Sequence, residues 1–176
     1  MRTVGLAAAA CVLLALASGC GADVMHSASA TEVAPVAAPP AAISDQPGRF
    51  GDRRDAGDSL MVTVSAPRSF VPGETAYPQA PRAAAFEIAL ENQSNRLYRP
   101  SQLVVNVATA DGKPVVPLVD AAQGYPGVIG SEPLAPTKST RLTLAFALPA
   151  DPVALVVTVQ PSAATLTLPA EFEGTA

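Results

Sequence analysis

The chain has 176 residues, enough for one domain with tails, and a formal net charge of −4. That balance lacks the basic footprint that nucleic-acid binding requires. Nearly half the residues are apolar, but many of these are alanine; with no Trp, five Phe and three Tyr, a modest core of Leu, Val, Ile and Phe is expected.

Arg2 supplies a positive start, and residues 6–17 form an uncharged apolar run. The run is too short to span a bilayer, which needs ~20 residues. It has the length of an export signal's hydrophobic region. It ends in Ala17-Ser18-Gly19-Cys20, small residues before a cysteine. This resembles the bacterial lipobox, with Ala17 where that motif favours Leu and Leu16 one place earlier. The resemblance implies a lipoprotein signal peptide over 1–19 and diacylation of Cys20. It also implies a protein anchored on the extracytoplasmic face of the bacterial cell membrane. The alternative is an ordinary secretory signal cut near Ala17 or Ala22, with Cys20 incidental. Cys11 lies inside the signal and leaves with it, so the mature domain has no disulfide. Each buried CH₂ of an acyl chain contributes ~0.8 kcal/mol, so two or three chains anchor stably where one does not.

Residues 20–57 read as a lipidated cysteine followed by a disordered Ala/Pro-rich tether. The segment APVAAPPAA at 34–42 favours extended conformations. About 35 residues at ~3.1 Å each would reach ~100 Å, enough to lift a domain clear of the membrane. Asp52, Asp55 and Asp58 lack calcium-loop spacing and a closing Glu, so a solvated charge run is expected there. His26, the only histidine, sits in the tether beside Met25 without the further ligands copper would need.

The folded part is expected over 58–170. Leu60, Val62 and Val64 alternate with Met61, Thr63 and Ser65, a first strand. The central strand lies within 83–94: Phe86, Ile88 and Leu90 face one way, Glu87 and Glu91 the other. Asn92 to Asn95 stops it with turn-prone polar residues. Leu103, Val105 and Val107 mark the next strand, ended by the Asp111-Gly112 turn. Residues 115–119 form a short strand that Pro117 confines to an edge. After a Gly- and Pro-rich loop over 121–138 come Leu142, Leu144, Phe146 and Leu148, then Val153, Leu155, Val157 and Val159. A last strand is expected over 165–168 with Leu166 and Leu168 inward, followed by a polar tail over 171–176. Seven short strands without a helical period predict an all-β, immunoglobulin-like antiparallel sandwich. Its core should gather Phe86, Ile88, Leu90, Leu103, Val105, Leu144, Phe146, Leu155 and Val157.

The order Leu90-Glu91-Asn92, Pro100, Asp111-Gly112-Lys113 and Leu134-Ala135-Pro136 carries a family likeness over residues 59–168. It resembles the immunoglobulin-like domain of unknown function found in Gram-positive, especially actinobacterial, lipoproteins and secreted antigens. Pro136-Thr137-Lys138 stands where that family usually has a Pro-Gly turn. The resemblance implies a cell-surface module with no established activity and carries no functional residues across.

No catalytic constellation is legible. The lone histidine in the tether excludes a Ser-His-Asp site in the domain. Glu87 and Glu91 lie roughly 13 Å apart along one strand, too far for a retaining carboxylate pair. No His/Cys metal cluster and no phosphate loop is present, and no cofactor is implied. The distinctive surface chemistry lies in loops, which hold Tyr77, Tyr98 and Tyr125. The plain reading is that these rings pack over the sandwich ends. The functional reading places a partner at Arg96, Tyr98 and Arg99, because guanidiniums pair with carboxylates or phosphates and stack on rings. An envelope protein or an anionic envelope polymer is the class of partner. The expectation is thus a non-enzymatic, membrane-anchored surface lipoprotein. The competing one is an extracytoplasmic carrier holding a small apolar ligand between its sheets, which needs a cavity of several hundred Å³.

Overall fold

The structure, a computed structural model, describes residues 46–127, 130 and 132–176. The expected signal, Cys20 and most of the expected tether lie outside the described residues. Among those described are eleven strands: β1 (Gly48–Arg49), β2 (Arg53–Asp55), β3 (Leu60–Val64), β4 (Arg68–Phe70), β5 (Arg82–Asn92), β6 (Val104–Thr109), β7 (Pro114–Val115), β8 (Pro117–Leu118), β9 (Ser139–Leu148), β10 (Ala154–Gln160) and β11 (Ala170–Thr175). They form two facing sheets, ordered β1-β11-β10-β6-β7 and β2-β3-β5-β9-β8, with β4 also paired to β5.

The period of two in β5 is what builds the core. Phe86, Ile88 and Leu90 are fully buried, and they meet Leu155, Val157, Val159 and Phe172 of the other sheet in one cluster. Burying side chains of this size stabilises by about 1.5–3 kcal/mol each. Phe86 packs edge-on to Phe146, ring centroids 6.0 Å apart. Val105, Leu142 and Leu144 are only partly buried against the cluster, and Val105 and Leu144 border a groove on the open side of the sandwich.

The outer face of β5 is not uniform. At one end Glu87 and Glu91 are exposed or half-exposed, and each meets an arginine of another strand. At the other end Ala83 and Ala85 are buried beneath a second, smaller cluster with Ala76, Leu118 and Tyr125. Alanine stands there because the side chains of Phe70 from the neighbouring β4, Leu118 from β8 and Tyr125 pack against that face. Tyr125 stacks on Phe70 at 4.6 Å, and Arg68 donates to its hydroxyl.

Several expectations are corrected. The sandwich has about four more strands than the seven expected, and one pairing, β1 with β11, is parallel. Residues 20–57 are not all tether: β1 and β2 fall inside that span, paired to β11 and β3. The segment over 165–168 is no strand, and Leu166 and Leu168 are 100% and 76% exposed. The supposed polar tail over 171–176 lies instead almost wholly in β11, with Phe172 fully buried. The edge strand over 115–119 splits at Val116. Its first half pairs β6 and its second half pairs β9, so the chain changes sheets ahead of Pro117, which has no N–H for a ladder.

Candidate functional site

The loops carrying Arg96, Tyr98 and Arg99 gather at one end of the sandwich. The ladders fix which loops share it. Leu60 pairs with Asn92, Glu91 with Ser139, Gln160 with Val104 and Val159 with Ala170. The connections 57–59, 93–103, 132–138 and 161–169 therefore lie together.

Asn92 closes β5 and holds this end from within. It is 1% exposed. Its side-chain Nδ2 donates to the carbonyls of Arg96 at 2.7 Å and Leu134 at 2.9 Å. Its Oδ1 accepts from Ser94 N at 3.0 Å and Ser94 Oγ at 2.7 Å. Every hydrogen-bonding position of the amide in this tight turn is engaged with the loop or with the segment before β9. Tyr98 and Leu134 then exchange two backbone hydrogen bonds, of 3.0 and 2.7 Å.

Tyr98 turns inward. Its hydroxyl donates to the carbonyl of Pro161 at 2.8 Å, and its half-buried ring packs on the core. Burial first, and the Asp58 carboxylate second, raise its ionisation above the usual phenol range. Arg96, Leu97 and Arg99 point out and are exposed. Neither guanidinium has a hydrogen-bond or ion-pair partner among the described residues. Of the three residues expected at a site, the structure thus makes two outward cations and turns the third into their support. A cleft of about 520 Å³ lies beside them, bordered by Asp58, Ser59, Ser94, Leu97 and Gln102.

The 57–59 turn forms the other wall. Gly57, Asp58 and Ser59 all have positive φ, at 101°, 54° and 59°. Gly57 is required on two counts, since a Cβ there would also lie 2.2 Å from Thr167 Oγ1. Thr165 Oγ1 donates to Asp58 Oδ2 at 3.2 Å. Thr165 thus faces the body and the exposed Thr167 borders Gly57, while Leu166 and Leu168 stand in solvent. Sequence reading missed these leucines because Thr-Leu alternation is also the signature of a half-buried strand.

Other candidates have structural roles. Arg141 holds Glu87 at 2.5 Å and Arg53 holds Glu91 at 2.8 Å. Hydrogen bonds from Arg53, then Gln93, keep the Glu91 carboxyl below its ordinary range. Tyr77 is 78% exposed, whereas Tyr125 is buried. Asp120 is buried and accepts from Gly73 N and Gln123 Nε2, each at 2.8 Å, which ties the small cluster's loops together. Among the described residues no group of His, Cys, Asp and Glu could hold a metal ion. An apolar groove of about 330 Å³ opens between β6 and β9, bordered by Leu103, Val105, Leu118, Leu144 and Phe146.

No family model matches the chain. No curated protein matches it significantly either. Among solved structures, the putative lipoprotein YcdA from Bacillus subtilis subsp. subtilis str. 168 superposes with a TM-score of 0.52 at 10% identity. The match covers 69% of this chain and 37% of that one, so this chain spans little more than a third of its length. The YjhA protein from Bacillus subtilis gives 0.48 at 16% identity, covering 62% of this chain and 80% of that one. The secreted protein MPT63 from Mycobacterium tuberculosis gives 0.47 at 18% identity, covering 76% and 100%. At such identities the likeness to YcdA establishes the fold alone: a β-sandwich shared with a bacterial lipoprotein-type domain.

Proposed function

We propose that this chain is a non-enzymatic surface lipoprotein, anchored through a lipidated Cys20, whose sandwich offers Arg96 and Arg99 to an anionic partner. The narrower kinship, with the immunoglobulin-like domains of actinobacterial lipoproteins, belongs to the same proposal. One observation carries the reading. Two exposed guanidiniums, without a side-chain partner among the described residues, sit on a loop that Asn92 and Tyr98 hold from behind. A fixed loop loses little conformational entropy on binding, and free guanidiniums need not break an existing pair to engage a carboxylate or phosphate. The partner class is an acidic envelope protein or polymer.

The test compares the wild type with Arg96→Ala/Arg99→Ala in retention on native cell envelopes. The double variant should keep its melting temperature and lose retention at low salt, and its difference from the wild type should shrink as salt rises. Unchanged retention by the folded variant would remove this loop from consideration. Anchoring is tested separately by metabolic labelling with a fatty-acid analogue. Wild type should be marked and Cys20→Ser should not; an unmarked wild type overturns the anchor.

The groove between β6 and β9 favours a second reading, a carrier of a small apolar molecule, since 330 Å³ lies at the lower end of the range for ligand sites. Its place is the open side of the sandwich, because the interior between the sheets is filled by Phe86, Phe146 and Phe172. Displacement of a fluorescent fatty acid, abolished by Leu144→Glu, would support it. Absence of any such binding would exclude it.

A further inference from the structure

We infer that the loop end of the sandwich is a membrane-facing surface, in which Leu97, Leu166 and Leu168 enter an anionic lipid interface while Arg96, Arg99 and Lys138 meet lipid phosphates. The inference rests on the reading above for the anchor and for the anion-binding arginines, and takes a bilayer of anionic lipid, in place of an envelope protein or polymer, as what they meet.

Three observations converge on it. The first is apolar exposure: Leu97 is 66% exposed, Leu166 100% and Leu168 76%. Thr165 bonds to Asp58 and Thr167 borders Gly57, which ties the segment to the 57–59 turn and leaves both leucines in solvent. Apolar side chains at a loop tip have no favourable place in water, yet fit the boundary between headgroups and acyl chains.

The second is charge. Lys138 is exposed, and like Arg96 and Arg99 it has no side-chain partner among the described residues. Its backbone carbonyl accepts from Asn92 N at 3.0 Å, which puts it at the same end. Of the described acidic groups at this end only Glu91 is ion-paired, to Arg53. Asp55 and Asp58 keep their charge while accepting from neutral donors, and Glu132 is exposed in the 132–138 connection. What marks the surface is thus the local grouping of Arg96, Arg99 and Lys138 and not a net basic charge. Basic residues beside exposed leucines match an anionic surface, to which the chain as a whole, at −4, is not drawn.

The third is the direction of the chain. β1 runs parallel to β11, with Gly48 opposite Phe172 and Arg49 opposite Glu173. β11 leads away from the 161–169 loop, so β1 does too, and Gln46 and Pro47 approach the sheet from that loop's end. A chain anchored at Cys20 therefore reaches the sandwich on the side that carries the leucines and cations. The connecting span, residues 21–45, raises the effective concentration of that end at the membrane, so modest intrinsic affinity suffices.

The test uses the chain from Gly21 onward, which retains every described contact and lacks both signal and acyl chains. Co-sedimentation is measured with phosphatidylcholine vesicles, with vesicles also containing phosphatidylglycerol, and with soluble polyphosphate as a separate probe. The expected result is binding to anionic vesicles, weakened by salt and nearly absent on phosphatidylcholine alone. Leu166→Ser/Leu168→Ser, which adds no charge, should weaken vesicle binding at least about tenfold while leaving polyphosphate binding unchanged. Arg96→Ala/Arg99→Ala should weaken both. Vesicle binding indifferent to the leucines, or absent, overturns the inference. The broader reading survives that failure if polyphosphate still binds through the arginines, and falls with it if neither probe binds. Sedimentation showing a dimer that Leu166→Glu dissociates would instead make this end a contact between copies and likewise overturn the membrane assignment. Because the leucines are exposed, the variants should melt with the wild type, which separates lost binding from lost folding.

Discussion

The side-chain nitrogen of Asn92 donates to the carbonyl of Leu134 at 2.9 Å, across 42 residues of chain. With the bond to the Arg96 carbonyl, this joins the end of the central strand to two loops at once. The neighbouring cations are therefore displayed from a buried amide.

Replacing Asn92 tests that link. Asn92→Ala takes one donor from each of two carbonyls, which keep those from Tyr98 N and Ser94 Oγ, and leaves the Ser94 N–H without its acceptor, and should cost about 1–3 kcal/mol. Asn92→Asp is more informative, because a carboxylate would face two carbonyl oxygens. The protonated acid can still donate, so the folded-state pKa of the new group should rise above its unfolded value. The sign follows: stability is kept at pH below the unfolded carboxylate pKa and lost as pH rises above it. Urea denaturation at pH 4 and pH 8 should show the larger deficit at pH 8. An equal deficit at both would mean that Nδ2 is not the essential donor.

Tyr98 should reveal itself at alkaline pH. Burial and the Asp58 carboxylate raise its ionisation above the ordinary phenol value near 10. A raised folded-state pKa contributes stability that is present below the unfolded value and lost as pH climbs above it. Wild type should therefore lose stability above about pH 10, and Tyr98→Phe should lack that component. Tyr98→Phe should also cost about 0.5–1.5 kcal/mol at neutral pH through the lost bond to Pro161. Matching alkaline profiles for the two proteins would place the hydroxyl in water.

The outer-face pair Arg53–Glu91 should matter little. Its side chains are 46% and 42% exposed, and solvent screens such pairs to about 0–1 kcal/mol. Because the Glu91 carboxyl is depressed, its small contribution exists above the ordinary carboxylate pKa and fades as pH falls. Glu91→Gln should lower the melting temperature by only a few degrees at pH 7, less at pH 3. A large loss would mean that the pair organises the sheet.

Most of the fold was legible where the period of two coincided with bulk. Phe86, Ile88, Leu90, Phe146, Leu155 and Val157 all lie in the core as their alternation implies. Asn92 was readable as a strand stop, but not as a buried clamp, because its partners Arg96 and Leu134 come from separate loops. The inward turn of Tyr98 depends on Pro161, 63 residues away, a contact that no local pattern encodes. β1 and β2 escaped notice because two or three residues of edge strand, rich in Gly, Arg and Asp, carry no apolar period.

The last strand is where the pattern misled, and it yields the sharpest test. Two stretches near the C-terminus compete to face the core: Thr-Leu-Thr-Leu at 165–168, and Ala170-Glu171-Phe172-Glu173. By alternation and β-propensity the first is the better strand. The structure takes the second, because Phe172 can fill the space beside Phe86 and Val157 in the main cluster while its glutamate neighbours remain outside it. Pairing then comes from both sides, with β10 on one and Gly48 and Arg49 on the other. Leu166 and Leu168 remain outside, on the segment that Thr165 and Thr167 tie to Asp58 and Gly57. Phe172→Ala should therefore cost about 3–5 kcal/mol by leaving a cavity under the sheet. Leu166→Ser/Leu168→Ser should change stability by less than about 0.5 kcal/mol, as for surface sites. Chemical denaturation of both variants checks this directly. The reverse order would put the Thr-Leu segment in the sheet and Phe172 in solvent, and would remove the exposed leucines on which the membrane-facing end depends.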